Sequence, residues 1–277
     1  MAGRRMNPRP MTPVKASNQG PIKAARLPLL FDPAGLQADL ATLGGGEWSA
    51  HFNTQFFDGD WSGVALRAAE GAASPMYADT THHDFANTGL LRQCRHLRAA
   101  VESFQCPLRS VRLLKLAAGS NIREHRDYDL GYDAGEVRIH VPVVTNPGVE
   151  FFLDGRRIVM NEGECWYLDL SLPHRVQNRS AADRVHLVID CQLNDWLRGL
   201  IAQGIPEAGE ESGFEPFRRR VLQESALQQQ LIGITGREAF IRRTVQLGEE
   251  RGFRFLAGDV EAAILAARRS WMERWIA

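Results

Sequence analysis

The sequence lacks the features that mark membrane, disulfide-bonded or polyanion-binding proteins. No apolar run approaches the roughly 20 residues of a membrane-spanning helix. The four cysteines form no C-x-x-C motif. With no signal peptide visible, we expect reduced thiols in a cytoplasmic protein. Basic and acidic residues both number 33, so the formal net charge is zero and no nucleic-acid partner is expected.

The apolar content is sufficient for a sizeable core, since 44% of the 277 residues are hydrophobic. Changes in composition along the chain predict four parts. Residues 1–26 hold four prolines and several basic residues, which is typical of a disordered tail. Residues 27–203 form the main domain, residues 204–216 are a glycine-rich linker, and residues 217–277 are helical.

The main domain combines a few helices with many short strands. Asp32-Pro33 predicts a capped helix start, and the apolar spacing over Asn87–Phe104 predicts a second helix. Asp154-Gly155 is a strong signal for a two-residue hairpin turn. Short strands in close succession predict an antiparallel sandwich or barrel. The predicted strands are Trp61–Arg67, Val111–Leu116, Glu136–Val144, Val149–Leu153, Arg157–Val159, Cys165–Asp169 and Arg184–Cys191.

The stretch Asn121–Asp129 contains a His-X-Asp triplet, His125-Arg126-Asp127. In an extended segment, residues two apart point the same way, so His125 and Asp127 would project together. They would supply two ligands of a 2-His-1-carboxylate iron site. Alone, such a triplet is more often a surface pair. Three further features make a metal site the better interpretation. His174 follows a probable strand, Arg184 comes ten residues later, and the Arg138-Ile139-His140 triplet has both polar groups on one face.

His125-X-Asp127, His174 and Arg184 in this order resemble the signature of Fe(II)/2-oxoglutarate dioxygenases, and the run from Trp61 to Ile189 resembles the aspartyl/asparaginyl β-hydroxylase family, which includes free-proline hydroxylases. The resemblance implies a double-stranded β-helix, or jelly roll. It also implies that His125, Asp127 and His174 are the catalytic iron ligands. Some members have glycine in place of Asp127; this chain keeps the aspartate, as the proline hydroxylases do.

The same resemblance assigns further roles. Arg184 and His140 would contact the cosubstrate 2-oxoglutarate, and Arg138 would meet the substrate carboxylate. Arg67 ends a family-like Trp segment and could also face the substrate, although a surface arginine is the commoner outcome.

The function expected from these residues is hydroxylation that consumes O2 and 2-oxoglutarate and yields succinate and CO2. The substrate would be a free amino acid or an Asp, Asn or Pro-type residue in a peptide, and the sequence does not separate these. The alternative is a non-catalytic jelly roll that binds a small molecule, because a fold does not determine a function.

The helical end of the chain, from Phe214, resembles the leader domain of nitrogen-fixation-type and nitrile-hydratase-type ribosomal peptides. The likeness lies in the segments Ala226–Leu231, Glu250–Phe255 and Gly258–Glu261. It implies a self-contained unit on a mobile linker that engages a peptide or a partner enzyme. The other interpretation is a lid or dimerisation element, which leaves a homodimer open. We expect Asp259 to cap a helix whose inward face includes Trp271.

Overall fold

In the computed structural model of the chain, the described residues are 22–51, 53–69, 84–206, 210–211, 213–253, 255 and 257–276. The strands are β1 (Ala24–Leu30), β2 (Ser49–Ala50), β3 (Phe57–Asp58), β4 (Trp61–Ala69), β5 (Phe85–Asn87), β6 (Leu108–Leu116), β7 (Asn121–His125), β8 (Glu136–Val144), β9 (Val149–Leu153), β10 (Arg156–Ile158), β11 (Glu164–Leu168), β12 (His174–Asn178), β13 (Arg184–Gln192), β14 (Ile205–Pro206) and β15 (Glu210–Glu211). The α-helices are α1 (Pro33–Ala41), α2 (Gly89–Gln93), α3 (Arg95–Glu102), α4 (Asp195–Gln203), α5 (Phe214–Gln223), α6 (Ser225–Leu231), α7 (Arg237–Glu250) and α8 (Ala257–Ile276).

Over these residues the strands form two antiparallel sheets. The larger has the order β14-β1-β11-β8-β13-β6-β4-β2, with β5 paired to β4. The smaller has the order β15-β10-β9-β12-β7-β3. Consecutive strands from β6 to β13 alternate between the two sheets, apart from the β9–β10 hairpin. This crossing pattern is that of a jelly roll, which confirms the fold that the sequence led us to expect.

The period-two pattern of the large sheet divides its side chains between two environments. On β8, Val137, Ile139 and Val141 are buried in an apolar cluster with residues of the flanking helices. Arg138 and His140, between them in sequence, line a cavity between the two sheets. Strand β13 repeats the pattern, with Val185, Leu187 and Ile189 in the helix-covered cluster. The inward polar residues are therefore carried by strands whose register is set by the apolar cluster on their other face.

The predicted strands are present, with bounds that differ by at most three residues at either end. The hairpin turn is also confirmed, since Asp154 and Gly155 have φ of 50° and 75°, as a type I′ turn requires. The single helix expected over Asn87–Phe104 is wrong. Two helices, α2 and α3, replace it, and the chain is extended at Cys94 between them, with ψ of 98°.

Asp39 on α1 explains this break. Its Oδ2 accepts hydrogen bonds from the backbone N–H groups of His96 and Leu97, at 2.6 and 2.8 Å. These are unpaired donors in the first turn of α3, which would otherwise be left without partners. The cap comes from a residue far away in sequence, so local spacing could not reveal it.

Two expected domain boundaries need correction. The proposed tail, residues 1–26, falls mostly on residues outside the described ranges, but Ala24–Arg26 already pair with Leu168–Trp166 in β11. The proposed linker, residues 204–216, contains two strand pairings. Ile205–Pro206 pair with β1, and Glu210–Glu211 pair with β10. These segments are therefore anchored on both sheets, because backbone pairing needs no apolar pattern that a sequence would display.

The end of the chain is helical, as expected, and helices α5–α8 share an apolar cluster of their own. We call these helices the helical unit. The buried members of its cluster are Phe214, Phe217, Leu227, Leu231, Ile241, Leu247, Phe255 and Val260. Gly252, with φ of 78°, follows the end of α7, where glycine is common.

The helical unit also contacts the jelly roll. Arg175 on β12 donates from Nη2 to Asp259 Oδ1 at 2.5 Å, and both side chains are about 5% exposed or less. A Cβ atom at Gly258 would lie 2.6 Å from Nε2 of Gln177, also on β12. Glycine thus permits the start of α8 to lie directly against this strand.

Two expectations for α8 are wrong. Asp259 lies within the first turn of a helix that begins at Ala257, so it does not cap the helix; its carboxylate binds Arg175 instead. Trp271 was expected to face inward but is 55% exposed, and its ring packs against Trp275 one turn later. No helix in the described ranges has the length and apolar character that crossing a bilayer requires.

Candidate metal centre and its cavity

His125, Asp127 and His174 come together between the two sheets, as the sequence predicts. His125 at the end of β7 is paired in register with His174 at the start of β12, and the ring centroids are 4.2 Å apart. Asp127 Oδ1 lies 3.7 Å from His125 Nε2. One possible ligand atom from each residue falls within 4.8 Å of the others. Two imidazoles and one carboxylate at this spacing can hold a divalent transition metal.

Hydrogen bonds on the far side of each imidazole suit this role. His125 Nδ1 donates to the carbonyl of Arg123 at 2.9 Å, and His174 Nδ1 donates to the carbonyl of Leu172 at 3.0 Å. In the neutral form of each ring the proton is therefore on Nδ1, and Nε2 keeps its lone pair. Burial, with a contribution from His125, lowers the pKa of His174 to about 4. Burial thus keeps the His174 imidazole neutral, and the Nδ1 bonds of both rings leave the two Nε2 atoms available for a metal.

Arg138 holds the carboxylate of this trio from behind. Its Nη1 donates to Asp127 Oδ2 at 2.6 Å, so that Oδ1 remains on the side of the histidines. Its Nε and Nη2 donate to Asp190 at 2.6 and 3.2 Å. Burial alone would raise the pKa of Asp127, but Arg138 and His174 outweigh it and keep the pKa below its usual value. Asp127 is therefore an anion with a fixed orientation.

Asp190 is the centre of this buried charge network. Besides Arg138, it accepts hydrogen bonds from Arg112 Nη2 and Ser110 Oγ, both at 2.6 Å. Burial opposes ionisation, but Arg138 and Arg112 hold the pKa of Asp190 well below its usual range. We call Arg138, Asp190, Arg112 and Asp127 the inner network. Its members were not predicted as a group, although Arg112 and Asp190 could have been noticed as polar residues on the inward side of apolar strands.

Arg184 lines the same cavity and is 2% exposed. Within the described ranges, no carboxylate forms an ion pair with it. Its Nη2 donates to His186 Nδ1 at 2.8 Å, and its Nε has no partner. Burial lowers its pKa to about 9. A buried guanidinium without an acid is costly, so this end of the cavity favours an anionic guest.

His140 lines the same cavity as the predicted metal ligands and Arg184. It is 5% exposed, and its Nε2 has no protein partner in the described structure. Burial and the charge of Arg184 hold its pKa well below the usual value, so the imidazole is neutral. The cavity therefore combines the predicted ligands with Arg138, His140 and Arg184.

Arg67 is the exception among the predicted site residues. It lines a different surface cleft, together with Arg109 and Gln192, and does not line the cavity of the metal trio. Its Nε donates to the carbonyl of Leu108 and its Nη1 to Asn87 Oδ1, at 3.1 and 2.9 Å. On β4 it is Trp61, six residues earlier, that reaches the cavity. The role of Arg67 in substrate binding therefore has no support from its position.

Sequence reasoning also missed His51 and His186. His51 follows the short strand β2 and stacks on Trp61, with ring centroids 3.5 Å apart. No local pattern marks it, because it is a single histidine in a loop. His186 has a clearer signal, since it follows Arg184 by two residues on an inward-facing strand side.

Comparison with known proteins agrees with the geometry. The family model described as aspartyl/asparaginyl beta-hydroxylase matches residues 40–193. The chain belongs to this family. All the residues of the candidate metal centre, with His140, Arg138 and Arg184, fall inside the matched range.

An L-proline cis-4-hydroxylase of Rhizobium meliloti (strain 1021) is 32% identical over 162 residues. That match covers 58% of this chain and only 57% of the relative's length.

Among solved structures, a 2OG-Fe(II) oxygenase family oxidoreductase from Burkholderia pseudomallei is similar with a TM-score of 0.39 and 15% identity, over 57% of this chain and 78% of the other. A Pseudomonas putida prolyl-4-hydroxylase gives a TM-score of 0.38 and 12% identity, over 62% and 93%.

Proposed function

We propose that the protein is an Fe(II)- and 2-oxoglutarate-dependent hydroxylase of an amino acid. The observation that carries the proposal is the pairing of two features in one cavity. The first is the trio of His125, Asp127 and His174, whose ligand atoms lie within 4.8 Å of one another. The second is Arg184, a buried guanidinium with no acidic partner among the described residues. A metal and a dianionic cosubstrate would satisfy both.

The residues present suit Fe(II). His125, Asp127 and His174 would hold it and leave coordination positions open. Bound together with 2-oxoglutarate and O2, the metal supplies an oxidant strong enough for an unactivated C–H bond, with succinate and CO2 as the other products. Arg138 keeps Asp127 ionised and oriented, and the two backbone carbonyls keep the imidazoles in the ligating tautomer.

Arg184 would bind the carboxylate of the cosubstrate that lies farther from the metal. A guanidinium presents a planar pair of donors that matches a carboxylate. The bond would be strong because Arg184 is shielded from water. Phe151 and Val176 contribute apolar wall to the cavity, which would help to exclude water during the reaction.

We propose a free amino acid as the substrate, with a residue in a peptide as the second choice. The cavity measures about 290 Å³, close to the lower limit of small-molecule pockets, and the metal's cosubstrate must share it. Arg138 has three N–H groups engaged by Asp127 and Asp190. The other two N–H groups of its guanidinium could donate to a substrate carboxylate. The name of the Rhizobium meliloti relative makes L-proline the first compound to test.

A non-catalytic binding protein remains the alternative from another functional class. A binding module would have use for the buried arginines, because they recognise anions. It would have no use for two imidazoles whose Nδ1 protons are fixed on backbone carbonyls and whose Nε2 atoms converge with a carboxylate. The ligand trio therefore favours the enzyme.

The test is anaerobic addition of Fe(II) and 2-oxoglutarate to the purified protein, followed by admission of O2 with L-proline and other amino acids. We expect a visible metal-to-ligand charge-transfer band before O2, and then succinate with a mass gain of one oxygen atom on the substrate. His174→Ala should lose the band, because a ligand is missing.

Arg184→Lys is the matched control variant. Lysine keeps the positive charge but lacks the planar fork. We expect it to bind Fe(II) as the wild type does and to require more 2-oxoglutarate for the same band. If the wild-type protein forms no band and no succinate with any amino acid, the hydroxylase proposal is wrong. A band without succinate or product, with amino acids and with peptides alike, would instead favour the binding protein.

A further inference from the structure

His186 lies behind Arg184, and none of the roles described so far involves it. It is 1% exposed and sits two residues after Arg184 on the inward side of β13. Arg184 Nη2 donates to His186 Nδ1 at 2.8 Å. Because the guanidinium only donates, His186 Nδ1 must be the acceptor. A neutral ring then carries its proton on Nε2.

The ring is neutral for a physical reason. Burial is the largest cause, and Arg184 and His140 act in the same direction, so the pKa of His186 lies well below the usual value. A neutral imidazole with a free Nδ1 lone pair is one of few side chains that can accept from a buried arginine without neutralising its charge. A carboxylate in this place would form an ion pair and reduce the attraction of Arg184 for a guest anion.

This arrangement leaves the rest of the guanidinium available. Arg184 Nε is buried and has no partner, and in the part of the chain that the structure describes no acid pairs with the side chain. One edge is thus held by His186 while other donors remain unused. His140 is also close, since its Nδ1 lies 3.3 Å from His186 Nδ1. His186 therefore contacts both residues that the family resemblance assigns to the cosubstrate.

We propose that His186 is a positioning residue that orients Arg184 toward the far carboxylate of a 2-oxo dicarboxylic acid while leaving its charge unpaired. This inference rests on the proposed function, because it names a further residue for the same cosubstrate subsite. It explains why a histidine occupies an inward, buried place on a strand whose outward residues are apolar.

The test compares two substitutions of similar size. His186→Asn keeps an acceptor, the amide oxygen, close to the place of Nδ1. His186→Leu fills the space without any acceptor. Binding is measured by titration calorimetry on the Mn(II)-loaded protein, with 2-oxoglutarate and with pyruvate as probes. Pyruvate has the 2-oxo acid group but no second carboxylate, so it does not reach Arg184.

For His186→Leu we expect 2-oxoglutarate to bind about 10- to 100-fold more weakly, the loss typical of one hydrogen bond to a charged group. Pyruvate should bind all three proteins equally. His186→Asn should recover most of the affinity for 2-oxoglutarate. A structural role alone would weaken both probes and would not be rescued by the amide.

The outcomes separate this inference from the proposed function. If the wild type binds 2-oxoglutarate and His186→Leu binds it equally well, the positioning role proposed for His186 is wrong, while the hydroxylase proposal stands. The same holds if Asn and Leu weaken binding alike. If the wild type binds neither probe, the proposed function fails and this inference fails with it. Circular dichroism of each variant checks that it is folded.

Discussion

The two faces of strand β12 place buried charged side chains in different surroundings. His174 and Arg175 are consecutive, so they point to opposite sides of the sheet. His174 faces the cavity and the inner network, in which Asp190 accepts from Arg138, Arg112 and Ser110. Arg175 faces the helical unit, stacks over the ring of Phe152 at 3.8 Å, and pairs with Asp259.

Arginine and aspartate side chains are buried on both faces of β12, but the two groups connect to different parts of the molecule. The inner network passes from Asp190 through Arg138 to Asp127, a candidate metal ligand, so its geometry fixes the orientation of that carboxylate. The outer pair joins two residues that are 84 positions apart and connects the helical unit to the strand that carries His174. Buried ion pairs add little net stability, yet removing one partner is costly because the other charge stays buried. The difference predicts how each side responds to mutation.

The largest effect is expected from Asp190→Ala. It leaves Arg138 and Arg112 buried without the carboxylate between them, so we expect a loss in the free energy of unfolding of about 5 kcal/mol, the upper end for a broken buried pair. Urea denaturation followed by circular dichroism measures it. Asp190→Asn, which keeps the shape and an acceptor oxygen, is the control and should lose less. A loss below about 1 kcal/mol for the alanine variant would mean that water reaches this network.

A smaller effect is expected on the outer side. Asp259→Ala leaves one arginine, Arg175, unpaired, and we expect a loss of about 3 kcal/mol. Arg175→Met combined with Asp259→Leu should recover most of this, because an apolar pair needs no partner charge. The same denaturation experiment gives all the terms of the double-mutant cycle. If Asp259→Ala stays within about 0.5 kcal/mol of the wild type, the residue behaves as a surface site and the helical unit is only loosely attached.

The comparison also bears on the leader-like resemblance of the helical end. A self-contained unit on a mobile linker would need neither the Arg175–Asp259 pair nor the pairing of residues 205–206 and 210–211 with the sheets. These contacts support the interpretation of the helical unit as an element that packs on the jelly roll. The likeness to leader domains remains a prediction about sequence segments such as Ala226–Leu231.

The sequence predicted the residues that line the cavity better than the contacts between the helical unit and β12, for a physical reason. Arg184 was placed in the site by the family resemblance. On β8, inward polar residues alternate with outward aliphatic ones, so that Arg138 and His140 could be assigned to one face from the period alone. His125 and Asp127 followed from the same rule. The family resemblance then supplied roles that a period cannot give.

The rest depended on contacts between distant segments. Asp39 caps α3 from another helix, and Asp259 binds a strand instead of capping its own helix. Arg67 sits on an inner strand with suitable chemistry, yet it lies beyond the cavity, toward a different cleft. The carboxylate partner of Arg138 was missed because Asp190 is separated from it by 52 residues. Pairings of this kind are a property of the folded sheet order.

The smallest effect that would sharpen the comparison concerns Arg138, where the inner network meets the metal trio. Lysine in its place keeps a charge near Asp127 but cannot bind Asp127 and Asp190 together, because it lacks the planar fork. Asp127 would then be less well oriented, and we expect Arg138→Lys to bind Mn(II) about 10-fold more weakly, the usual cost of losing a partner behind a metal ligand. Arg112→Lys is the matched control, since Arg112 donates to Asp190 in the same network. It should keep an affinity close to that of the wild type in the same calorimetric titration. Unchanged affinity in both variants would show that the network acts through charge alone, because lysine keeps the charge. A loss confined to Arg138→Lys would show that it acts by orienting Asp127.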